Sequence, residues 1–209
     1  MTVNLIQVNF SHYYSEKYES KVRFISYWHQ ISEIRQRQPK NILEVGIGSG
    51  FVSHYLRRQG LNVTTIDIDT RLQPDIVAGV AALPFKESSF PLVACFEVLE
   101  HLPYDQFIPA LMELSRVSQQ WVIISLPDAT RAISFMLRST GRPKWTKSIA
   151  VPHLRKREHQ FVGEHFWEIG KKGYPFRRIK VNIEKAGLKL CSTYRLPEHL
   201  YHRFFILEK

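Results

Sequence analysis

The chain of 209 residues is 44% apolar and 23% charged, enough for one well-packed domain and short for two. No apolar run approaches the roughly 18 residues that span a bilayer. The opening MTVNLIQVNFSHYY has no basic start followed by an apolar block, and Cys95 and Cys191 lie far apart without metal-ligand spacing, so a cytoplasmic protein with reduced thiols is expected.

The net charge of +10 is concentrated in one place. Residues 131–180 carry thirteen Lys/Arg against three acids, a net of +10, which leaves the rest of the chain formally neutral. The basic character therefore belongs to one segment and not to the scaffold.

Along the chain, Val22, Ile25, Trp28 or His29, Ile31 or Ser32, and Ile34 recur at helical spacing and predict a helix over 16–37 that Pro39 stops. NILEV at 41–45 predicts a first strand. Residues 51–59 predict a helix with Val52, Tyr55 and Leu56 on one face and Gly60 as its stop. The β-branched run at 62–68 predicts a second strand, 75–80 a third and 91–97 a fourth. A helix over 105–118 directs Phe107, Leu111, Leu114 and Val117 inward, and WVIISL at 121–126 predicts a fifth strand. Residues 129–180 are basic, aromatic and without a clear period. A helix over 179–186, stopped by Gly187, and two strands over 188–195 and 203–208 close the chain.

Continuously apolar strands alternating with amphipathic helices predict a parallel sheet covered on both faces, doubly wound by right-handed crossovers. Two strands in succession at the end predict an antiparallel hairpin completing the sheet. The domain divides into an N-terminal helical segment (1–40), a cofactor-binding core (41–128), a basic insertion (129–178) and a C-terminal helix and hairpin (179–209).

The turn Glu44-Val45-Gly46-Ile47-Gly48-Ser49-Gly50 follows the first strand, at the sheet edge where open α/β folds bind ligands. The dinucleotide pattern requires a third glycine at position 51, where Phe51 stands; the P-loop Gly-Lys-Ser/Thr is absent. An acid before the glycines is a poor neighbour for a pyrophosphate and suits an ammonium. Asp67, at the end of the second strand, stands where an acid takes both hydroxyls of a ribose. A ribose, an amino acid end and no pyrophosphate together describe S-adenosylmethionine.

With these residues assembled, the chain resembles the class I S-adenosylmethionine-dependent methyltransferases, in the small-molecule branch with a seven-stranded sheet. LEVGIGSG (43–50), TTIDID (64–69), AALPFKESSF (81–90), CFEVLEHLP (95–103) and WVIISLPD (121–128) carry the likeness. It implies that Glu44, Gly46, Gly48 and Gly50 hold the methionine end and that Asp67 binds the ribose. Ile68, Val80 and Ala81 would then border the adenine, and Phe96 and Glu97 the transferred methyl. The family usually has an acid near 80–81 for the adenine amino group, whereas this chain reads Gly79-Val80-Ala81-Ala82. Phe90-Pro91 replaces the usual Phe-Asp before the fourth strand.

On the acceptor side, removing a hydroxyl proton needs a base. His101 in EVLEHLP is one candidate, with a structural histidine as its alternative. His165 and Glu164, in the imidazole- and carboxylate-bearing stretch 159–168, are the others. His153, His159 and His165 recur every six residues, a spacing of neither helix nor strand, so no metal site is expected. The thirteen cations suggest an anionic, sugar- or lipid-linked small acceptor, with peripheral contact to an anionic membrane through Ile133, Phe135, Met136 and Leu137 as one version. RNA is an alternative, ranked lower because no RNA-binding module accompanies the domain and no Asp/Asn-Pro-Pro-Tyr/Phe motif follows the fourth strand. A silent binding module that keeps the fold is a further alternative. Tyr13 or Tyr14 would close over the cofactor.

Overall fold

The computed structural model describes residues 8–137, 139–141, 145–151, 157–161 and 163–209. Nine strands and four α-helices follow in chain order: α1 (Lys21–Gln36), β1 (Asn41–Val45), α2 (Phe51–Arg58), β2 (Asn62–Asp67), β3 (Ile76–Val77), β4 (Phe90–Phe96), α3 (Phe107–Val117), β5 (Ser118–Pro127), β6 (Ala132–Leu137), β7 (Trp145–Ala150), α4 (Phe176–Lys185), β8 (Lys189–Leu196) and β9 (His199–Glu208). Seven strands form one sheet in the order β3-β2-β1-β4-β5-β9-β8. The pairings from β3 to β5 are parallel, and β9 runs antiparallel to both of its neighbours. This is the expected doubly wound sheet with a C-terminal hairpin.

Strand alternation sends side chains to two cores, one per face. Leu43 and Val45 of β1 and Val93 and Cys95 of β4 pack with α3, α4 and Trp167. Ile42, Leu92, Ala94 and Phe96 pack on the other face with α1 and α2. The inward set expected of α3 is fully buried throughout: Phe107, Leu111, Leu114 and Val117.

Several expectations need correction. The helix predicted over 16–37 begins only at Lys21, and Trp28 is 63% exposed. The buried face is rotated onto Ser26, Tyr27, Gln30, Ile31 and Ile34, because Ser26 and Gln30 have polar partners inside: Ser26 lies 3.0 Å from His202 Nδ1, and Gln30 donates to Ser26 Oγ. On α2, Tyr55 faces outward and Ser53 is buried in its place. The third strand shrinks to two residues, and Asp75 just before it accepts from the backbone N–H of Thr65. The penultimate strand is shifted by one residue, the last is longer than predicted, and the two meet at Pro197-Glu198.

The insertion after β5 contains a two-stranded antiparallel hairpin, β6–β7, separate from the main sheet. It then returns to the core through Trp167 and Ile169, both fully buried. The Trp167 indole donates to the Leu102 carbonyl at 3.1 Å, and Asp128 and Ile169 form a parallel bridge. Among the described residues no helix is long and apolar enough to cross a membrane.

Candidate active site

One cavity opens at the carboxyl ends of β1, β2 and β4, where the sheet order reverses between β1 and β4. Its first wall is the glycine turn. Gly46, Gly48 and Gly50 take φ of 84°, 54° and 74°, a left-handed region open at little cost only to glycine. A Cβ on Gly46 would overlap Cγ2 of Val98, so the turns after β1 and β4 approach too closely for a side chain there. Gly50 is set back from the cavity and caps α2, its carbonyl accepting from the Ser53 hydroxyl at 3.1 Å. Gly46 and Gly48 line the cavity as expected.

Four carboxyls line the cavity: Glu44, Asp67, Asp69 and Glu97. Glu44 is 3% exposed, its Oε2 has no hydrogen-bond partner, and burial raises its pKa to about 8 against a hydrogen bond from Ser53. Asp67 also lines the cavity. Its two oxygens accept from the backbone N–H of Ile47 and of Asp69, each at 2.9 Å, and burial raises its pKa. A carboxylate has about four acceptor sites, so two stay available for a vicinal diol. Glu97 ends β4 with φ 53°, a strained conformation of the kind that collects at functional sites. Burial raises it to about 7, and His202 Nε2 stands 3.5 Å from its Oε2. Ile68, Val80, Ala81 and Phe96 complete the expected cofactor set along the same cavity.

The residues present fit S-adenosylmethionine. Glu44 offers an orphaned buried carboxylate to an ammonium, Gly46 and Gly48 offer backbone at close range, and Asp67 offers a fixed pair of acceptors. No acid stands at Val80–Ala81, which leaves an apolar slot for the base.

The sequence reading missed the near side of the cavity. Tyr18, Arg23, Tyr27 and Gln30 all line it. Arg23 lies over the Tyr18 ring at 4.3 Å, Tyr27 stacks on Phe51, and its hydroxyl pairs with Ser49 at 3.1 Å. Tyr13 also lines the cavity, with its pKa raised to about 12, chiefly by burial, whereas Tyr14 is 54% exposed.

The three candidate bases separate. His101 lines the cavity, and burial followed by the neighbouring His165 lowers its pKa to about 4. Its Nδ1 lies 3.0 Å from the Glu164 carbonyl oxygen, so Glu164 contributes backbone while the residue itself is exposed. His165 stands behind His101, with ring centroids 5.0 Å apart.

Residues 43–124 match the family model described as a methyltransferase domain. Over those residues the chain is similar to the methyltransferase domain family. Over 85 residues it is 34% identical to an uncharacterized protein of Methanocaldococcus jannaschii, covering 37% of this chain and 36% of that one. Over 88 residues it is 28% identical to a ubiquinone biosynthesis O-methyltransferase of Hydrogenovibrio crunogenus, covering 35% and 36%. The chain thus spans about a third of the length of these curated relatives. In fold it is similar to the 1,6-didemethyltoxoflavin-N1-methyltransferase of Burkholderia thailandensis, a structure with bound S-adenosylhomocysteine. The TM-score there is 0.63 at 14% identity, over 98% of this chain and 87% of that one.

The described part of the basic segment does not bring its cations to this cavity: among the described residues, none of its Lys or Arg lines it. Lys171 pairs with Glu168, Lys172 with Glu158 and Lys180 with Glu184. Arg178 covers the Tyr104 ring at 4.2 Å. Arg131, Arg157 and Arg177 are exposed. Arg138, Arg142, Lys144, His153, Arg155 and Lys156 lie outside the described residues, as does the side chain of Lys147. The cation that does line the cavity is Arg23, on α1.

Proposed function

We propose that the chain methylates a hydroxyl oxygen of a small acceptor, using S-adenosylmethionine as methyl donor. The observation that carries this reading is the set of carboxyls Glu44, Asp67 and Glu97 around one glycine-floored cavity. Such a wall suits a nucleoside that carries positive charge, and repels a pyrophosphate. When bound, S-adenosylmethionine supplies an electrophilic methyl on a sulfonium.

The chain's own groups divide the remaining work. Glu44 orients the ammonium, Asp67 the ribose, and the apolar slot at Ile68, Val80 and Ala81 the adenine. Tyr13, at the cavity mouth, excludes water. With no metal ion bound, His101 is the base we assign to the acceptor hydroxyl, because it lines the cavity and is neutral there. His165 and Glu164 support it, the one through ring contact and the other through its carbonyl.

A hydroxylated acceptor also agrees with the O-methyltransferase relative. Its anionic character rests on Arg23 and not on the insertion. A lipid-linked acceptor is favoured by the β6–β7 hairpin, where Ile133, Phe135, Met136, Leu137 and Ile149 are exposed. An apolar surface of this kind beside basic residues suits an anionic bilayer surface.

Calorimetry with S-adenosylhomocysteine, alongside methyl release over a panel of phenolic, catecholic and sugar hydroxyl acceptors, tests the proposal. Micromolar binding that Asp67→Ala weakens at least 10-fold is expected. Absence of binding, or indifference to Asp67→Ala, sinks it. Binding to RNA with a steep salt dependence and no turnover would favour the silent module instead.

A further inference from the structure

Glu100 sits in the turn after β4 and is fully buried. Neither of its carboxylate oxygens has a hydrogen-bond partner. A buried carboxylate is normally paired, hydrogen-bonded or coordinated to a metal, because leaving the charge unmatched in a low dielectric is costly. Two imidazoles lie beside Glu100. His165 Nε2 lies 3.9 Å from Glu100 Oε1, and one ligand atom from each of Glu100, His101 and His165 falls within 4.8 Å of the others.

The outer contacts of the two histidines fix their tautomers. His101 Nδ1 faces the Glu164 carbonyl at 3.0 Å. A carbonyl only accepts, so Nδ1 carries the proton and the lone pair lies on Nε2. His165 Nδ1 faces the Glu168 carboxylate at 3.5 Å. That carboxylate also accepts from the Tyr201 hydroxyl at 2.8 Å. A carboxylate there accepts the His165 Nδ1 proton, which leaves Nε2 to face Glu100. Two histidines, each with Nδ1 donating to an oxygen and Nε2 carrying the lone pair, form the outer shell that metal-binding imidazoles use.

We propose that Glu100, His101 and His165 bind a divalent first-row transition ion beside the cofactor cavity. One carboxylate and two imidazoles suit Zn²⁺, Mn²⁺ or Co²⁺ better than Mg²⁺ or Ca²⁺, which prefer oxygen ligands throughout. Ligation at about 2.1 Å requires the three ligand atoms to draw together by roughly 1 Å, a side-chain adjustment. Three protein ligands leave coordination positions open. His101 and Glu97 both line the cavity, so an open position there takes an acceptor oxygen. Resting on the proposed methyl transfer, the ion would lower the pKa of the bound hydroxyl and pass its proton to a neighbouring base such as Glu97. In that role His101 is a ligand, and the protein's base is the adjacent carboxylate.

The test is metal binding itself. The purified full chain is stripped with a chelator and titrated by calorimetry with ZnCl₂, MnCl₂ and MgCl₂, and with CoCl₂ read by its visible absorption. One Zn²⁺ or Co²⁺ per chain is expected, with Mg²⁺ at least 10-fold weaker. Glu100→Gln and His165→Ala should each lower Zn²⁺ affinity by about 10–100-fold, while S-adenosylhomocysteine affinity holds within 2-fold and circular dichroism reports an intact fold.

Zn²⁺ binding that is absent from chain that still binds S-adenosylhomocysteine overturns the proposal, and so does Zn²⁺ binding that both variants leave unchanged. Glu100 would then be a protonated carboxyl. Zn²⁺ binding in chain that does not take up S-adenosylhomocysteine would sustain the metal site and remove the methyl-transfer reading. His165→Asn supplies a second variant should His165→Ala fail to fold.

Discussion

Replacing Glu44 by glutamine should stabilise the fold and cripple the site. Burial raises the Glu44 pKa from 4.5 to about 8, so the folded chain holds a proton there that the unfolded chain releases above pH 4.5. For an acid raised in this way, stability falls as pH climbs between the two values. The loss approaches 1.36 kcal/mol per pH unit, or about 3 kcal/mol at pH 7. That figure is an upper limit, because water reaching the cavity relieves part of the charge.

Glu44→Gln removes this loss while keeping the shape. Relative to the parent chain, the variant should gain nothing at pH 5 and about 1–3 kcal/mol at pH 8, read as a shift in urea midpoint with unchanged slope. Its affinity for S-adenosylhomocysteine should fall about 10–100-fold, the worth of one charge-assisted hydrogen bond. A gain independent of pH, or a loss at pH 8, would refute the orphaned-carboxylate argument. Unaltered affinity would remove Glu44 from the ligand set.

The same protonation makes binding release hydrogen ions. At pH 7, calorimetry in buffers of differing ionisation enthalpy should show up to about one proton released by the parent chain and less by Glu44→Gln, with affinity rising as pH approaches 8. Gly46→Ala places a Cβ against Val98 at φ 84°. It should cost about 1–3 kcal/mol and abolish cofactor binding, and Val98→Ala in the same chain should recover part of the stability in urea titrations. Asp128 is 1% exposed and accepts from Arg203 Nε at 2.7 Å and the Thr130 N–H at 2.9 Å. Asp128→Ala leaves the partly buried Arg203 guanidinium without its carboxylate and should lose about 2–4 kcal/mol, measured by thermal unfolding. Trp167→Ala should lose about 3–5 kcal/mol and loosen the insertion, read as new protease cleavage between residues 157 and 175.

The central strands were legible because their residues are buried on both faces and therefore continuously apolar, as in LVACF of β4. The cofactor wall was legible because Glu44, the glycines and Asp67 are close in sequence and sit at strand ends. The hairpin β6–β7 was not, since AISFML pairs only with its own partner strand and no core imposes alternation on it. The face of α1 was misread because periodicity counts apolar residues, whereas Ser26 and Gln30 are buried for their hydrogen bonds. Arg23 reaches the cavity for the same reason, from the polar side of a helix read by its apolar one. Nothing in EVLEHLP distinguishes Glu100 from a solvated acid in a turn. What buries it is contact from the insertion, whose Phe166 N–H donates to the Glu100 carbonyl across a long sequence separation.

The contact between Gly46 and Val98 has a consequence for how this site can change over generations. Val98 lies between Glu97 and the turn that carries Glu100 and His101, so the residue pressed against the glycine loop belongs to the loop we propose meets the acceptor. The two loops must then vary as a matched pair. Chimeras that import the 46–50 turn from a relative should lose function unless the 96–101 turn comes with it. New acceptor preferences should arise more readily in the insertion or the N-terminal helix, where no such fit is enforced.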